Sequence, residues 1–77
     1  MRRSFVFPTF LTAIDFVNEV AALSEKHRHH PNISVDYRCV GLSLSTHDDG
    51  NIVTEKDHEL ARAIDLLYRS NKRYATN

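Results

Sequence analysis

The segment SVDYRCVGLSLSTH, residues 34–47, decides the fold. Apolar and polar residues alternate along it as they do in a half-buried β-strand, but the alternation changes phase at Arg38-Cys39. The two phases are occupied first by Val35 and Tyr37 and then by Val40, Leu42 and Leu44. Such a change is typical of a tight hairpin or of a bulge, and the spacing is compatible with both. We favour two antiparallel strands, over about residues 33–37 and 40–46, with the apolar side of the second strand facing the core.

A helix is predicted upstream of this segment. From Phe10 onward apolar residues recur at helical spacing, and Thr9 is placed to cap the first turn. The apolar stripe consists of Phe10, Ala13, Ile14, Val17, Val20 and Ala21, and it is widened by Phe16 and Leu23. The helix has to end by His30, because the residue before a proline is disfavoured in the α region. A short β-type run over residues 4–7 precedes it.

A second helix is predicted downstream, after the turn signal HDDGN. Thr54 is placed as its N-cap, and the tail from Asn71 is expected to fray. The inward stripe of this helix is Leu60, Ala61, Ile64, Leu67 and Tyr68. The order strand, helix, strand, strand, helix predicts one α+β domain over residues 1–77, an antiparallel β-sheet with helices packed on one face.

Composition narrows the class of protein. Ten basic and ten acidic residues cancel, which argues against a protein that grips nucleic-acid phosphates. No apolar run reaches the roughly 20 residues that span a bilayer, so no membrane partner is expected. Cys39 is the only cysteine, which favours the reducing cytoplasm and leaves no internal disulfide. Because a domain this small is marginally stable alone, a metal or self-association is the remaining source of support.

Three histidines fall close together in EKHRHHPNIS, residues 25–34. His27 lies on the edge of the apolar stripe, which favours a boundary packing role, and His58 falls on the solvent side of the second helix. His29 and His30 sit where the first helix ends. The helix dipole favours a cationic imidazole there, so a charged C-terminal cap and a functional role are both open.

Asp57 has two compatible interpretations. It is the third helical residue after Thr54, the position of the acidic member of a capping box. It also projects on the inward face with Ala61 and Ile64, where a carboxylate could hold a buried imidazole.

Metal binding is the rival explanation for the histidine cluster. Adjacent His29 and His30 point in different directions, and the segment contains neither a thiolate nor an HExxH pattern. We therefore expect no metal site, and proton transfer by imidazoles near neutral pH is the favoured chemistry.

The residues combine into a pattern: Glu25-x3-His29-His30-Pro31, then Tyr37, His47 and Asp57. Together with FVFPTFLTAIDFVNEVAALSEK before it and TEKDHELARAIDLL at its end, this pattern resembles the pterin-4a-carbinolamine dehydratases over about residues 5–68. The resemblance implies a four-stranded antiparallel sheet flanked by helices, in a homodimer or homotetramer. It implies a hydro-lyase that removes water from 4a-hydroxytetrahydropterin, giving quinonoid dihydropterin in tetrahydrobiopterin recycling, with no cofactor.

The same resemblance implies roles for individual residues. His29 and His47 match the acid/base histidines, and His30 with Pro31 matches the substrate-binding position. Asp57 and Glu25 match the supporting carboxylates. One imidazole would protonate the departing hydroxyl and the other would take a proton from a ring nitrogen, in an order that the pattern leaves unassigned.

The sequence also departs from the family that it resembles. It has no tryptophan, it begins at what is the second strand of longer members, and Ile33-Ser34 stand where many relatives carry aromatic residues. Because some members serve as dimerisation cofactors for a transcription factor, a non-catalytic interaction protein is the alternative. The intact set of His29, His30 and His47 favours catalysis.

Overall fold

A computed structural model describes residues 1–46, 50 and 52–76 of the chain. The elements are β1 (Arg2–Val6), α1 (Phe10–His27), β2 (Asn32–Asp36), β3 (Cys39–Ser43) and α2 (Glu55–Ser70), followed by a 3-10 helix (Lys72–Tyr74). The order of strands and long helices is the predicted one. In the part of the chain that is described, no helix is both long and apolar enough to cross a membrane.

The three strands form one antiparallel sheet in the order β1-β3-β2, which confirms the α+β class. The pairing of Asp36 with Cys39 leaves Tyr37 and Arg38 as a two-residue turn, and Tyr37 adopts a positive φ of 54°. The phase change is therefore a hairpin rather than a bulge. Both hairpin strands lie one residue earlier than predicted, and β3 ends at Ser43 instead of residue 46. Beyond it, Thr46 makes only an isolated bridge with Ile52.

The helices pack on one face of this sheet, over β1 and β3. Phe5 on β1 contacts Tyr68 on α2 with ring centroids 4.8 Å apart, and Arg3 pairs with Asp65 at 3.2 Å. Val40 and Leu42 of β3 are buried, as the alternation predicts. All residues of β2 are exposed, so this edge strand extends beyond the cover of the helices.

The buried stripe of α1 differs from the predicted one. Phe10 is 46% exposed and Ala21 is exposed, whereas Phe16 is fully buried. The buried side chains of the helix are Ala13, Phe16, Val20 and Ser24. Phe16 is buried because it belongs to an aromatic cluster. The members of this cluster are Phe5, Phe7, Phe16, Tyr68 and Tyr74. Helical spacing alone does not show which of several apolar side chains at the edge of a stripe has partners inside.

The prediction of a frayed tail from Asn71 is wrong. The side chain of Asn71 accepts a hydrogen bond from the Arg73 N–H and starts the 3-10 helix. Tyr74 is fully buried, with its ring 5.4 Å from that of Phe7 and 5.3 Å from that of Phe16, and its hydroxyl donates to Glu19. Burial of the Tyr74 ring therefore stabilises this segment. The polar residues on either side of Tyr74 in the sequence had suggested a loose tail.

We expect Tyr74→Ala to lower the free energy of unfolding by about 3 kcal/mol or more, because it opens a cavity in the aromatic cluster. Tyr74→Phe should recover most of this loss by refilling the cavity. Arg73→Ala removes exposed ion pairs of 3.8 and 3.7 Å to Asp15 and Glu19 and the guanidinium contacts with Tyr74, but leaves the Tyr74 ring in place, and should cost less than about 1 kcal/mol. Urea unfolding monitored by circular dichroism measures the stability of all three variants. A Tyr74→Ala variant as stable as the wild type would show that the tail is dispensable.

Candidate active site

The C-terminus of α1 sets the direction in which the histidine segment leaves the helix. Arg28 adopts the left-handed conformation at φ 52°, and its N–H donates to the Glu25 carbonyl at 3.2 Å. The His29 N–H donates to the Ser24 carbonyl at 3.1 Å. These two bonds form a Schellman motif, which closes the helix and reverses the chain. The reversal places His29 directly after the turn and ahead of β2.

The N-terminus of α2 supplies a buried carboxylate. Thr54 is the N-cap residue, and its N–H donates to Asp57 Oδ2 at 2.9 Å. Asp57 is fully buried, since it also lies on the inward face of the helix. The predicted cap and the predicted inward position are thus both present in one side chain.

These two helix ends meet through their side chains. His29 Nε2 lies 2.5 Å from Asp57 Oδ1, and the imidazole is only 11% exposed. The other carboxylate oxygen, Oδ2, accepts from the Thr46 hydroxyl at 2.9 Å as well as from the Thr54 N–H. The Asp57 carboxylate therefore holds three donors, from the end of α1, from the segment after β3 and from the start of α2.

The environment of Asp57 favours its ionised form. Burial by itself raises the pKa of this carboxyl group, but the hydrogen bonds from His29, the Thr54 N–H and Thr46, together with the charge of a protonated imidazole, outweigh burial. Its pKa lies below the ordinary value of 3.8. An ionised Asp57 accepts only, so the His29 nitrogen that faces it has to carry a proton.

The remaining site residues predicted from the sequence are distributed differently. His30 Nε2 pairs with Glu25 Oε2, but the two side chains are 62% and 76% exposed, and neither bonds to Asp57 or to Thr46 within the described residues. Pro31, which follows His30 in sequence and precedes β2, is half-buried. His47 lies outside the described residues. The structure thus brings together His29 with Asp57, and separately His30 with Glu25.

Two other histidines occupy the positions that the sequence predicts. His27 is half-buried at the edge of α1, and His58 is exposed on α2. Over residues 1–46, 50 and 52–76, no three His, Cys, Asp or Glu side chains converge on a point where a metal ion could bind.

The sequence analysis missed Thr46, which the structure places inside the carboxylate cluster. Thr46 is only 3% exposed, and its hydroxyl lies 2.6 Å from that of Thr54. A signal was available, because position 46 continues the inward phase of Val40, Leu42 and Leu44. A polar residue in that phase requires a buried hydrogen-bond partner.

Comparisons with known proteins place this geometry in a family context. Residues 1–67 match the family model described as pterin 4 alpha carbinolamine dehydratase. A protein from Roseiflexus sp. (strain RS-1) is 49% identical over 67 residues, which are 87% of this chain and 71% of the relative. A protein from Thermomicrobium roseum is 50% identical over 62 residues, 80% of this chain and 66% of the relative. Both relatives carry the family's activity only as a provisional name.

Two solved structures are also similar. A crystal structure from Brucella melitensis, described as a transcriptional coactivator/pterin dehydratase, has a TM-score of 0.79 and 39% identity, covering 86% of this chain and 69% of that one. A pterin dehydratase-like protein, described as a RuBisCO assembly factor in the alpha-carboxysome, has a TM-score of 0.71 and 28% identity, covering 86% and 75%.

We expect Asp57→Asn to lower the free energy of unfolding at pH 7 by about 1–3 kcal/mol, because an amide cannot replace a carboxylate that accepts from three donors. The pKa of Asp57 is depressed in the folded state, so its stabilisation is present above its ordinary pKa of 3.8 and is lost as pH falls through the folded value. The stability gap between wild type and variant should therefore shrink below about pH 4.

Urea titrations across this pH range measure the gap. Asp65→Asn is the matched control, since it removes a carboxylate from the same helix but from a partly exposed ion pair with Arg3, and should cost less than about 1 kcal/mol. A gap that widened as the pH fell below about 4 would contradict the assigned ionisation of Asp57.

Proposed function

This chain belongs to the pterin-4a-carbinolamine dehydratase family, and from that premise we propose that it eliminates water from a 4a-hydroxytetrahydropterin to give quinonoid dihydropterin. The observation that carries the proposal is the imidazole of His29, held by a buried carboxylate at 2.5 Å and still 11% exposed. An oriented imidazole that reaches solvent can exchange a proton with a substrate near neutral pH.

The proposed reaction moves two protons and breaks one carbon–oxygen bond. The hydroxyl on C4a leaves as water after it receives a proton, and a ring nitrogen of the pterin loses a proton as the new double bond forms. Neutral His29 would keep its proton on Nε2, where it forms the hydrogen bond to Asp57, and would present the unprotonated Nδ1 to the substrate. The bare Nδ1 of neutral His29 can accept a proton, and Nδ1 of protonated His29 can donate one, so His29 can serve as base or as acid with His47 in the complementary role.

His47 is proposed as the second acid/base group from its place in the sequence pattern. His30 and Pro31 are proposed to contact the pterin, with Glu25 in support. The exposed pair of His30 and Glu25 beside the His29 turn offers polar groups that a pterin ring could reach. Catalysis would then need neither metal nor organic cofactor, and we propose the cytoplasm as the compartment.

A protein-interaction role is the second candidate. Its support is an apolar groove of about 500 Å³ between α1 and α2, and the described residues that line it include neither His29 nor Asp57 nor Thr46. Leu66 on this groove is 61% exposed, and Leu23 and Leu67 line it as well. Two solved relatives are described by interaction roles, as a transcriptional coactivator and as an assembly factor. A catalytic role requires the histidines, whereas an interaction role requires the groove.

We propose that copies of this chain associate through that groove, as a homodimer or homotetramer. The chain is small, at 8.9 kDa, and its single cysteine excludes an internal disulfide. Burial of Leu66 against another copy would supply the apolar contact that a core of this size lacks.

The reaction is tested by assaying dehydration of enzymatically generated 4a-hydroxytetrahydropterin. His29→Ala and His47→Ala should each lower kcat at least about tenfold, a conservative share of what an acid/base group contributes. His27→Ala and His58→Ala should stay within about twofold, as controls that remove imidazoles outside the pattern. Loss of activity in His58→Ala equal to that in His47→Ala would place the site elsewhere, and an inactive wild type would favour the interaction role.

Association is tested by sedimentation and by thermal melting at several protein concentrations. We expect the melting temperature to rise with concentration, because mass action stabilises an oligomer. Leu66→Lys should shift the protein toward monomer and abolish the concentration dependence. Leu11→Lys, a change at a leucine that is 73% exposed on α1 and outside the groove, should leave assembly intact. A wild type that sediments as a monomer at micromolar concentration would contradict the proposal.

A further inference from the structure

We infer that Thr46 is a positioning residue whose hydroxyl fixes the ring tautomer of His29 through the Asp57 carboxylate. The inference rests on the proposed dehydratase function for its catalytic consequence, but its structural part can be tested without any substrate. Thr46 does not itself contact the imidazole; it acts through the oxygen of Asp57 opposite the one that faces His29.

The direction of the hydrogen bonds follows from counting protons. Thr46 has one hydroxyl proton and two near partners, Asp57 Oδ2 at 2.9 Å and the Thr54 hydroxyl at 2.6 Å. An ionised carboxylate only accepts, so Thr46 donates to Asp57 and the Thr54 hydroxyl donates to Thr46. The chain of donation therefore runs from Thr54 through Thr46 to the carboxylate.

This series of hydrogen bonds also constrains the imidazole of His29. Asp57 Oδ2 accepts from the Thr46 hydroxyl and the Thr54 N–H, and among the described residues Oδ1 bonds to His29 alone. The carboxylate plane is thereby fixed, and the imidazole can satisfy Oδ1 only by keeping its proton on Nε2. The lone pair of neutral His29 then lies on Nδ1. Without the Thr46 hydroxyl, Oδ2 would keep only the Thr54 N–H, so the carboxylate plane would be held less firmly and the tautomer imposed less strictly.

Backbone contacts support Thr46 as a fixed point. Its N–H donates to the Ile52 carbonyl at 2.8 Å, so the two positions that flank residues 47–51 are joined. In sequence, Thr46 is the residue before His47. Thr46 is thus linked by its hydroxyl to the Asp57 carboxylate that holds His29, and by its backbone directly to the proposed second histidine.

Packing alone does not explain a threonine at this position. The site is 3% exposed and follows Val40, Leu42 and Leu44 in the inward phase of the strand, where an apolar residue would fit the pattern. Valine has nearly the same shape as threonine and carries no polar group that needs a partner. A buried hydroxyl that bonds to a carboxylate therefore indicates a role for the hydroxyl itself.

Thr46→Val removes the hydroxyl with little change in shape, and Thr46→Ser keeps the hydroxyl while losing the methyl group. The wild type and both variants are compared by long-range ¹H–¹⁵N spectra of the imidazoles at about pH 8.5, which is above the ordinary pKa of an imidazole, about 6.5. We expect protonated Nε2 and bare Nδ1 for His29 in the wild type and in Thr46→Ser. In Thr46→Val the two nitrogen shifts should move toward each other, as expected for mixed tautomers.

The same proteins are assayed for dehydration. Thr46→Val should lower kcat about tenfold with KM within about twofold, since the hydroxyl acts on the orientation of a proton-transfer group rather than on substrate binding. Thr46→Ser should keep kcat within about threefold of the wild type. Thr12→Val is the matched control: it breaks another hydroxyl pair, also 2.6 Å apart, with Thr9 at the start of α1, and should change neither spectrum nor kcat.

The spectra test the structural role of Thr46, and the assays test its effect on catalysis. An unchanged His29 spectrum in Thr46→Val overturns the inference, whatever the activity. A changed spectrum with unchanged kcat overturns the catalytic consequence of the inference. An inactive wild type overturns the proposed function but leaves the spectra to test Thr46. If Thr46→Val does not fold, Thr46→Ala replaces it and is compared with Thr46→Ser, from which it differs only by the hydroxyl that bonds to Asp57.

Discussion

The buried carboxylate of Asp57 is the interaction on which the rest of the site depends. It caps α2, receives His29 from the end of α1, and binds Thr46 beyond β3, so it joins three separate parts of the chain. Burying a charge is costly unless it is paired and hydrogen-bonded, and here every oxygen has donors. The position at a helix N-terminus adds the favourable field of the helix dipole.

The two helix ends that meet here have opposite electrostatic character. The end of α1 favours a cationic imidazole and the start of α2 favours an anion, so the His29–Asp57 pair agrees with the dipoles of both helices. The Schellman motif at Arg28 makes the meeting possible, because it reverses the chain within one turn. Polar chemistry is thus concentrated at one end of the helix pair, while the aromatic cluster stabilises the sheet side.

The aromatic cluster and the exposed groove show how a short chain distributes limited apolar surface. Tyr74, in the C-terminal segment, packs against Phe7 and Phe16 in the core. Leu66 is left 61% exposed on the other side of α2. Because a domain of this size buries a modest share of its surface, the same helix can bury Asp57 on its inward face and leave Leu66 exposed on its outward face.

The sequence by itself determined the class of fold, the order of the elements and the inward position of Asp57, because alternation, helical spacing and cap residues are local properties. It also indicated the His29, His30 and Asp57 pattern through its resemblance to a known family. Only the tertiary structure decided that His29 rather than His30 meets Asp57, that Thr46 joins them, and that Tyr74 is core. These contacts link residues 11 to 67 positions apart, and local periodicity carries no information on which distant side chains become neighbours.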